Sequence, residues 1–528
     1  MVAALALAAA AFTFAVARRG WFYADAWGHL ARRSITDPAS LLRPQGGHLA
    51  VVGAVTMRTL YGIARLDYSP LYPAVSAAAW ASFGVAAWWW FRRRGAHPVV
   101  AAGSAAVLLF LGTSGWLQAW LVGSPFGLVA VIAATHLVST VDRPGPRHHV
   151  AAALLILAAL SSGGTGLAGT IGLGLAVLVR RRLLRWWPGF AAGAAAYGAW
   201  YFANRGTARQ LRPDLGLADL LTDVPAAVAR LWRLAPARLL GLPDTAGWVL
   251  LVLLVAWIAF LVARRRTDLP TSAFLFGALA FSVLAAGVRV VTGEAAPGDA
   301  VRYSHNIIVF SALALVPHIP VPTRRWGPAA VAAAAAVLTL VNAVTLHAEL
   351  GDSAQIGRGG RRVVEAAGAM IDAGEPVVDG FSLGLREGFL KEDEIRAFLD
   401  DGWDPPPAAP DDPTRGNLRL RRLPGPPAGW TVVSSSAAAA AEDGCARVRP
   451  DVPLEIVVTG ASVLRLTSRS AFTAGLEWSD RFGSGERSFD AAGGTALFVA
   501  TAEPDGAAAL TVTTDAAARV CGLADRPS

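Results

Sequence analysis

The stretch Trp21-Phe22-Tyr23-Ala24-Asp25-Ala26-Trp27-Gly28-His29-Leu30 sets one acid and one imidazole inside an aromatic run. Partial desolvation by such rings raises a carboxylate's pKa and makes it a usable general base. Asp25 also reads as a solvated loop acid beside an aromatic belt. A second histidine follows in Leu42-Arg43-Pro44-Gln45-Gly46-Gly47-His48-Leu49. His29 and His48 read either as acceptor or metal contacts or as packing residues. Asp25 with His48 could hold a divalent cation, but two ligands do not define a site. No phosphate-cradling loop, dinucleotide fingerprint, zinc-protease motif or nucleophile elbow occurs.

The elements that must position these residues are apolar. The 528-residue chain is 54% hydrophobic and 16% charged, against roughly a quarter charged in ordinary soluble domains. Its mean hydropathy is +0.45. That balance excludes a plain cytosolic enzyme and intrinsic disorder. Candidate spans run over 2–17, 70–91, 98–116, 123–141, 150–163, 165–179, 188–203, 246–263, 271–291, 304–319 and 328–347, long enough in most cases for a hydrocarbon core about 30 Å thick. The fifth and sixth are short and joined by Ser161-Ser162-Gly163-Gly164-Thr165-Gly166, which predicts a tight hairpin. Gly189 and Gly193 have the spacing for close helix contact.

Net charge is +9, and almost all of the basic excess is arginine, Lys391 being the only lysine. The clusters Arg92–Arg94, Arg143 with Arg147, Arg180–Arg182 with Arg185, Arg264–Arg266 and Arg324-Arg325 each follow an even-numbered span. The positive-inside rule makes their face cytoplasmic. The first outer loop is then 18–69, further outer loops are 204–245 and 292–303, and everything beyond 350 is exported. Arg18, Arg19, Arg32, Arg33 and Arg43 in the first outer loop, and Arg358, Arg361 and Arg362 after the last span, run against this rule: either the first span is misassigned or they serve something anionic outside. The first span lacks a basic leader and a clear cleavage site, so it does not read as a removable signal peptide. No basic stripe with interleaved aromatics points to nucleic acid. Leu217–Leu240, apolar with Arg230, Arg233 and Arg238, reads as an interfacial amphipathic helix.

From 350 the character changes. Residues 350–440 read as an exported linker of mixed α/β pattern with a proline-rich stretch at 405–413. Residues 441–528 read as a β-sandwich-like module, with short β-type runs at 454–458, 463–466, 496–500 and 508–512. Cys445 and Cys521 bracket that module. A redox pair or half of a metal site are the functional alternatives; their separation and exported position favour a structural disulfide.

An acid just past a first span, a long first outer loop, many spans and an exported carboxy-terminal domain resemble the GT-C class of membrane glycosyltransferases. Within it, the chain is similar to an actinobacterial group whose first loop carries a W/Y-x-D-D-like and a P-H-N-G-H-W-like element. The matching stretches are Tyr23-Ala24-Asp25-Ala26-Trp27 and Pro44-Gln45-Gly46-Gly47-His48-Leu49, with Tyr197-Gly198-Ala199-Trp200-Tyr201 and Arg302-Tyr303 further on. The usual paired acid is absent, since Ala24 and Ala26 flank Asp25, and Leu49 stands where a tryptophan follows the loop histidine. The resemblance implies transfer of a sugar from a polyprenyl-phosphate donor to a glycan, lipid or protein acceptor at the outer face of the plasma membrane. Asp25 would be the base or a metal holder. Arg302, Tyr303 and Arg289 would clamp the departing phosphate, because guanidinium grips phosphate oxygens bidentately. Arg289 lies inside an apolar span, where charge is costly and usually functional, yet close enough to its end to snorkel. Glu294 and Asp299 would contact the acceptor or pair with Arg302. The alternatives are a non-catalytic scaffold or glycan-binding partner of an envelope complex, and a transporter.

Overall fold

Long runs of Ala, Leu and Val become helices that start and stop where Pro, Gly and Arg fall. A computed structural model describes residues 2–22, 25–44, 48–68, 70–115, 118, 123–204, 216–292, 301–321, 326–374, 377, 392–406, 420–423, 430–433, 445–450, 452–459, 461–480, 483–491, 495–501 and 507–525. The chain divides into two units, Met1–Gly357 and Arg358–Ser528.

The first unit is helical. Its elements are α1 (Val2–Ala17), α2 (Asp25–Ala31), α3 (Pro38–Leu41), α4 (Val51–Ala64), α5 (Leu71–Arg93), α6 (Pro98–Leu109), α7 (Gly123–Thr140), α8 (Pro146–Leu160) and α9 (Gly164–Val179). These are followed by α10 (Leu183–Asn204), α11 (Leu217–Leu240), α12 (Gly247–Ala263), α13 (Leu269–Thr292), α14 (Val301–Leu315) and α15 (Gly327–Asp372), the last reaching into the second unit. Among the described residues four stretches are long and apolar enough to cross a membrane: Gly123–Thr140, Asp244–Ala263, Leu269–Val291 and Gly327–Asp372. Five shorter apolar helices accompany them, α1, α4, α6, α8 and α9. Only 11% of the Asp244–Ala263 window is buried, with Trp248, Val252 and Val255 exposed. An apolar helix so little covered by protein needs lipid around it.

Trp80, Phe83, Trp90, Phe91, Phe274 and Phe310 form the centre of the main core. Trp90 Nε1–H donates to the Leu313 carbonyl at 2.9 Å, so α5 and α14 are bonded as well as packed. Glycine sets the close approaches. A Cβ at Gly172 would lie 2.3 Å from the Gly277 nitrogen, and one at Gly193 would lie 2.5 Å from Ile156 Cγ2. The 189/193 pair therefore does bring α10 against α8, running parallel to it. The α8–α9 turn is the predicted hairpin. Gly163 has φ +99°, and a Cβ at Gly166 would overlap the Ala159 carbonyl oxygen at 1.8 Å.

α6 stops at Leu109, earlier than the span to 116 predicted from hydropathy. Phe110 caps it, and the chain enters a buried 3₁₀ turn at Gly112–Ser114. Asn342 Oδ1 accepts the Gly112 N–H at 3.1 Å, and Gln118 Nε2 donates to Ser114 Oγ and the Leu109 carbonyl. Such bonds are what irregular backbone requires when water is excluded.

The second unit carries α16 (Glu392–Asp400), three acids in its first turn, with Ile395 and Phe398 buried. Ten strands follow: β1 (Leu420–Leu423), β2 (Trp430–Val433), β3 (Cys445–Val448), β4 (Leu454–Thr459), β5 (Ala461–Ser468), β6 (Phe472–Asp480), β7 (Gly483–Ala491), β8 (Thr495–Thr501), β9 (Ala507–Thr514) and β10 (Ala518–Asp525). One sheet runs β1-β8-β5-β10-β2 with β3 also on β10, the other β4-β9-β6-β7. Every pairing is antiparallel. Alternate residues of both sheets, among them Leu464, Leu466, Leu476, Leu510, Val512 and Val520, share one core, as a two-sheet sandwich demands. β1 and β2 lie in the 350–440 region, whose pattern reads as mixed α/β, and join the same sheet as strands of the module. They are four-residue strands between proline-rich stretches, too short for period-two alternation to show. The division between the two units falls at 357/358, inside α15, which runs on without a break.

Cys445 and Cys521 are bonded and directly opposed across β3 and β10, with Cα atoms 4.3 Å apart. Closing a loop of 76 residues stabilises the module by about 4–5 kcal/mol in the chain-entropy model.

Candidate functional site

The first loop folds against the 161–164 turn. Val52 N–H donates to the Ser161 carbonyl at 3.1 Å, and His48 Nε2 lies 3.3 Å from where a Gly164 Cβ would be. Gly164 begins α9, so the imidazole rests on a helix start that lacks a side chain. Trp200 Nε1–H donates to the Leu42 carbonyl at 2.5 Å, tying the far end of α10 to the same loop. Thr165 Oγ1 bonds Asn306 Oδ1 at 3.0 Å, which joins α9 to α14 just below His48.

Three residues before Asn306, Tyr303 meets Arg289. The Arg289 Nε donates to the Tyr303 hydroxyl at 3.0 Å, and its guanidinium lies 5.4 Å from that ring's centroid. Arg238 of α11 donates to Ser304 Oγ at 2.9 Å. The amphipathic helix expected at 217–240 therefore packs on α14 beside this pair. His48 and Arg289–Tyr303 thus occupy the same end of the helical unit. The side chains of Asp25 and Arg302 lie outside what is described, as do Glu294 and Asp299 altogether; Asp25 opens α2 and Arg302 lies in the first turn of α14.

Basic residues of the 92–94 and 180–182 clusters interact at the opposite ends of these helices; Arg324 and Arg325 lie outside the described residues. Arg94 pairs with Asp268, Arg180 donates to the Thr267 carbonyl, and Arg182 pairs with Asp142 at 3.0 Å.

The aromatics around Asp25 are not an open belt. Trp21, Phe22, Trp27, Tyr68 and Tyr72 are buried and meet mostly edge to face, with Phe22 centroids 5.5 Å from Trp27 and 4.7 Å from Tyr72. Gly357 packs on the Trp21 backbone so closely that a Cβ would lie 2.7 Å from its nitrogen and oxygen. His29 is 3% exposed, its Nε2 against Gly53 of α4 and its Nδ1 without a partner among the described residues. Burial first, and the charge of Arg33 second, pull its pKa down to about 3, so it is neutral at physiological pH.

Arg33, itself buried, donates to the carbonyls of Leu41 at 2.7 Å and Arg43 at 2.6 Å. Arg58 donates to the Leu30 carbonyl at 2.6 Å and stacks on Tyr61. These guanidiniums staple the loop to itself and to α4. Arg58 and Gly53 carry no motif; only the packing of α2 on α4 reveals their part. Among the described residues no group of three or more His, Cys, Asp or Glu is placed to hold a metal ion.

The chain matches no protein-family model, no curated protein and no solved structure. This end of the helical unit presents a histidine over a bare helix start and a guanidinium held by a tyrosine hydroxyl.

Proposed function

We propose that the protein is a membrane transferase that moves a sugar from a polyprenyl-phosphate donor to a cell-envelope acceptor on the extracytoplasmic face. The observation that carries this reading is the convergence of the first-loop His48 and the Arg289–Tyr303 pair at one end of the helical unit, opposite the arginine clusters. Under the positive-inside rule the arginine end is cytoplasmic, which leaves the site and the exported module across the bilayer. The proposal includes the eleven spans of the hydropathy pattern and an extracytoplasmic β-sandwich that binds acceptor glycan.

Inversion at an anomeric carbon needs a base for the acceptor hydroxyl and positive charge for the departing phosphate. Asp25 takes the proton. Arg302, with the Arg289–Tyr303 pair, stabilises the phosphate oxygens as the glycosidic bond breaks. His48 orients the acceptor.

The test is transfer from a labelled polyprenyl-phosphate sugar in membranes containing Asp25→Asn. Loss of about a hundredfold or more in rate is expected from removing a general base. Undiminished transfer removes the base from the scheme. A second reading, a non-catalytic scaffold or glycan-binding partner, is favoured by one observation: His29, Arg33 and the loop aromatics are all engaged in packing. It predicts no transfer by the wild type at all.

A further inference from the structure

A groove of about 670 Å³ runs along α10 between α8 and α9. Ala191, Ala194 and Gly198 form its floor, and nothing lies within 4 Å of a Cβ built at Gly198. Trp187 and Tyr201 line its two ends, fourteen residues and so roughly 21 Å apart along the helix. The lining is almost wholly apolar, and the groove faces outward from the unit.

One end carries uncompensated charge. Tyr197 lines the groove and lies 5.1 Å from the Trp200 ring, and Trp200 bonds the Leu42 carbonyl. The next residue is Arg43. Its guanidinium is exposed and has no hydrogen-bond or ion-pair partner among the described residues. Behind it the Arg33 guanidinium is spent on two carbonyls, and the neighbouring acid, Asp37, caps α3 through the Ala39 N–H at 3.0 Å. Two positive groups close enough for Arg43 to lower the pKa of Arg33 thus stand in the loop that Trp200 binds, and among the described residues no carboxylate pairs with Arg43.

We propose that this groove holds one acyl chain of an anionic glycerophospholipid whose headgroup phosphate is bound by Arg43. Charge names the head: a phosphate diester supplies the anion that the loop lacks, as basic pockets beside membrane helices do for acidic lipids. Length names the tail. A chain confined to its own leaflet needs about half of the roughly 30 Å hydrocarbon core, which the stretch from Tyr201 to Trp187 accommodates. A long polyprenyl chain exceeds that length. The inference is independent of the transferase reading.

The test is native mass spectrometry of the full-length protein in detergent with added phosphatidylglycerol, phosphatidylcholine or a polyprenyl phosphate. Phosphatidylglycerol should be retained about tenfold more tightly than phosphatidylcholine, whose phosphate can reach Arg43 but whose choline cation offsets the attraction. Arg43→Gln should erase that preference and Arg43→Lys restore part of it. Ala194→Phe, which fills the floor, should weaken both phospholipids alike; if that variant does not fold, the Arg43 pair decides. Equal retention of the two phospholipids, an unchanged preference in Arg43→Gln, or displacement of phosphatidylglycerol by equimolar polyprenyl phosphate each overturns the proposal.

Discussion

His29 shows how much a residue's surroundings decide its chemistry. By type it is a candidate ligand or proton carrier; in place it is a neutral, buried imidazole fitted to Gly53. Its folded-state pKa of about 3 lies below the ordinary 6.5. The stability it contributes is therefore complete above pH 6.5 and is lost progressively as pH falls towards 3, by about 1.4 kcal/mol per pH unit inside that window. Wild-type protein should lose about 2 kcal/mol from this group between pH 7.5 and 5. A His29→Gln variant, melted at both pH values, should show a correspondingly smaller drop. Equal drops would mean that the imidazole is hydrated or paired. Arg33 follows the same logic: the sequence marked it as an anomaly of sidedness, whereas its donors fasten the 41–43 backbone.

At the scale of elements, the hairpin between α8 and α9 makes the closest glycine approach among the described residues and carries the Gly164 on which His48 rests. Gly166→Ala should cost about 3 kcal/mol, since the new Cβ would strike the backbone carbonyl of Ala159 rather than a movable side chain. Gly174→Ala in the same helix meets only Phe190 Cε1 at 3.9 Å and should be neutral or stabilising by up to about 1 kcal/mol. Thermal aggregation in detergent separates the two. Elements of this kind were legible in the sequence because their cause is local: the Ser-Ser-Gly-Gly run announced the turn, 189/193 announced a close approach, and the two lone cysteines announced their bond. The break after Leu109 was not legible. Gly112 and Gly115 are unremarkable in a glycine-rich chain, and the Asn342 amide that satisfies the break comes from 230 residues away. β1 and β2 escaped for a related reason, since their pairing with β8 and β10 is supplied by distant partners. The same division holds in the site. Tyr303 stood out beside an arginine, but its actual partner is Arg289, fourteen residues earlier on another helix.

Over the whole molecule, two covalent or electrostatic features hold at long range. Replacing both Cys445 and Cys521 by serine should lower the sandwich's stability by about 4 kcal/mol, seen as a lower melting transition that reductant reproduces in the wild type; a transition unmoved by either treatment would place the loop-closure entropy elsewhere.

The arginine ends are the second such feature. Arg94–Asp268 and Arg180 to Thr267 join the ends of α5 and α9 to the start of α13, and Arg182–Asp142 joins the end of α7 to the start of α10, while Ser161, Leu42 and His48 meet at the other ends of α8, α9 and α10. One rule then fixes the orientation of both ends, because a cluster of guanidiniums resists translocation. In a chain without native cysteines, Ser161→Cys should react with a membrane-impermeant maleimide on intact cells and Arg181→Cys only after permeabilisation. Both positions are described and solvent-facing to some degree, so silence at one is a matter of side and not of burial. The reverse pattern would put His48 and the Arg289–Tyr303 pair in the cytoplasm, where a nucleotide-linked donor rather than a flipped lipid-linked one would be the accessible sugar source, and the transfer scheme would have to be abandoned.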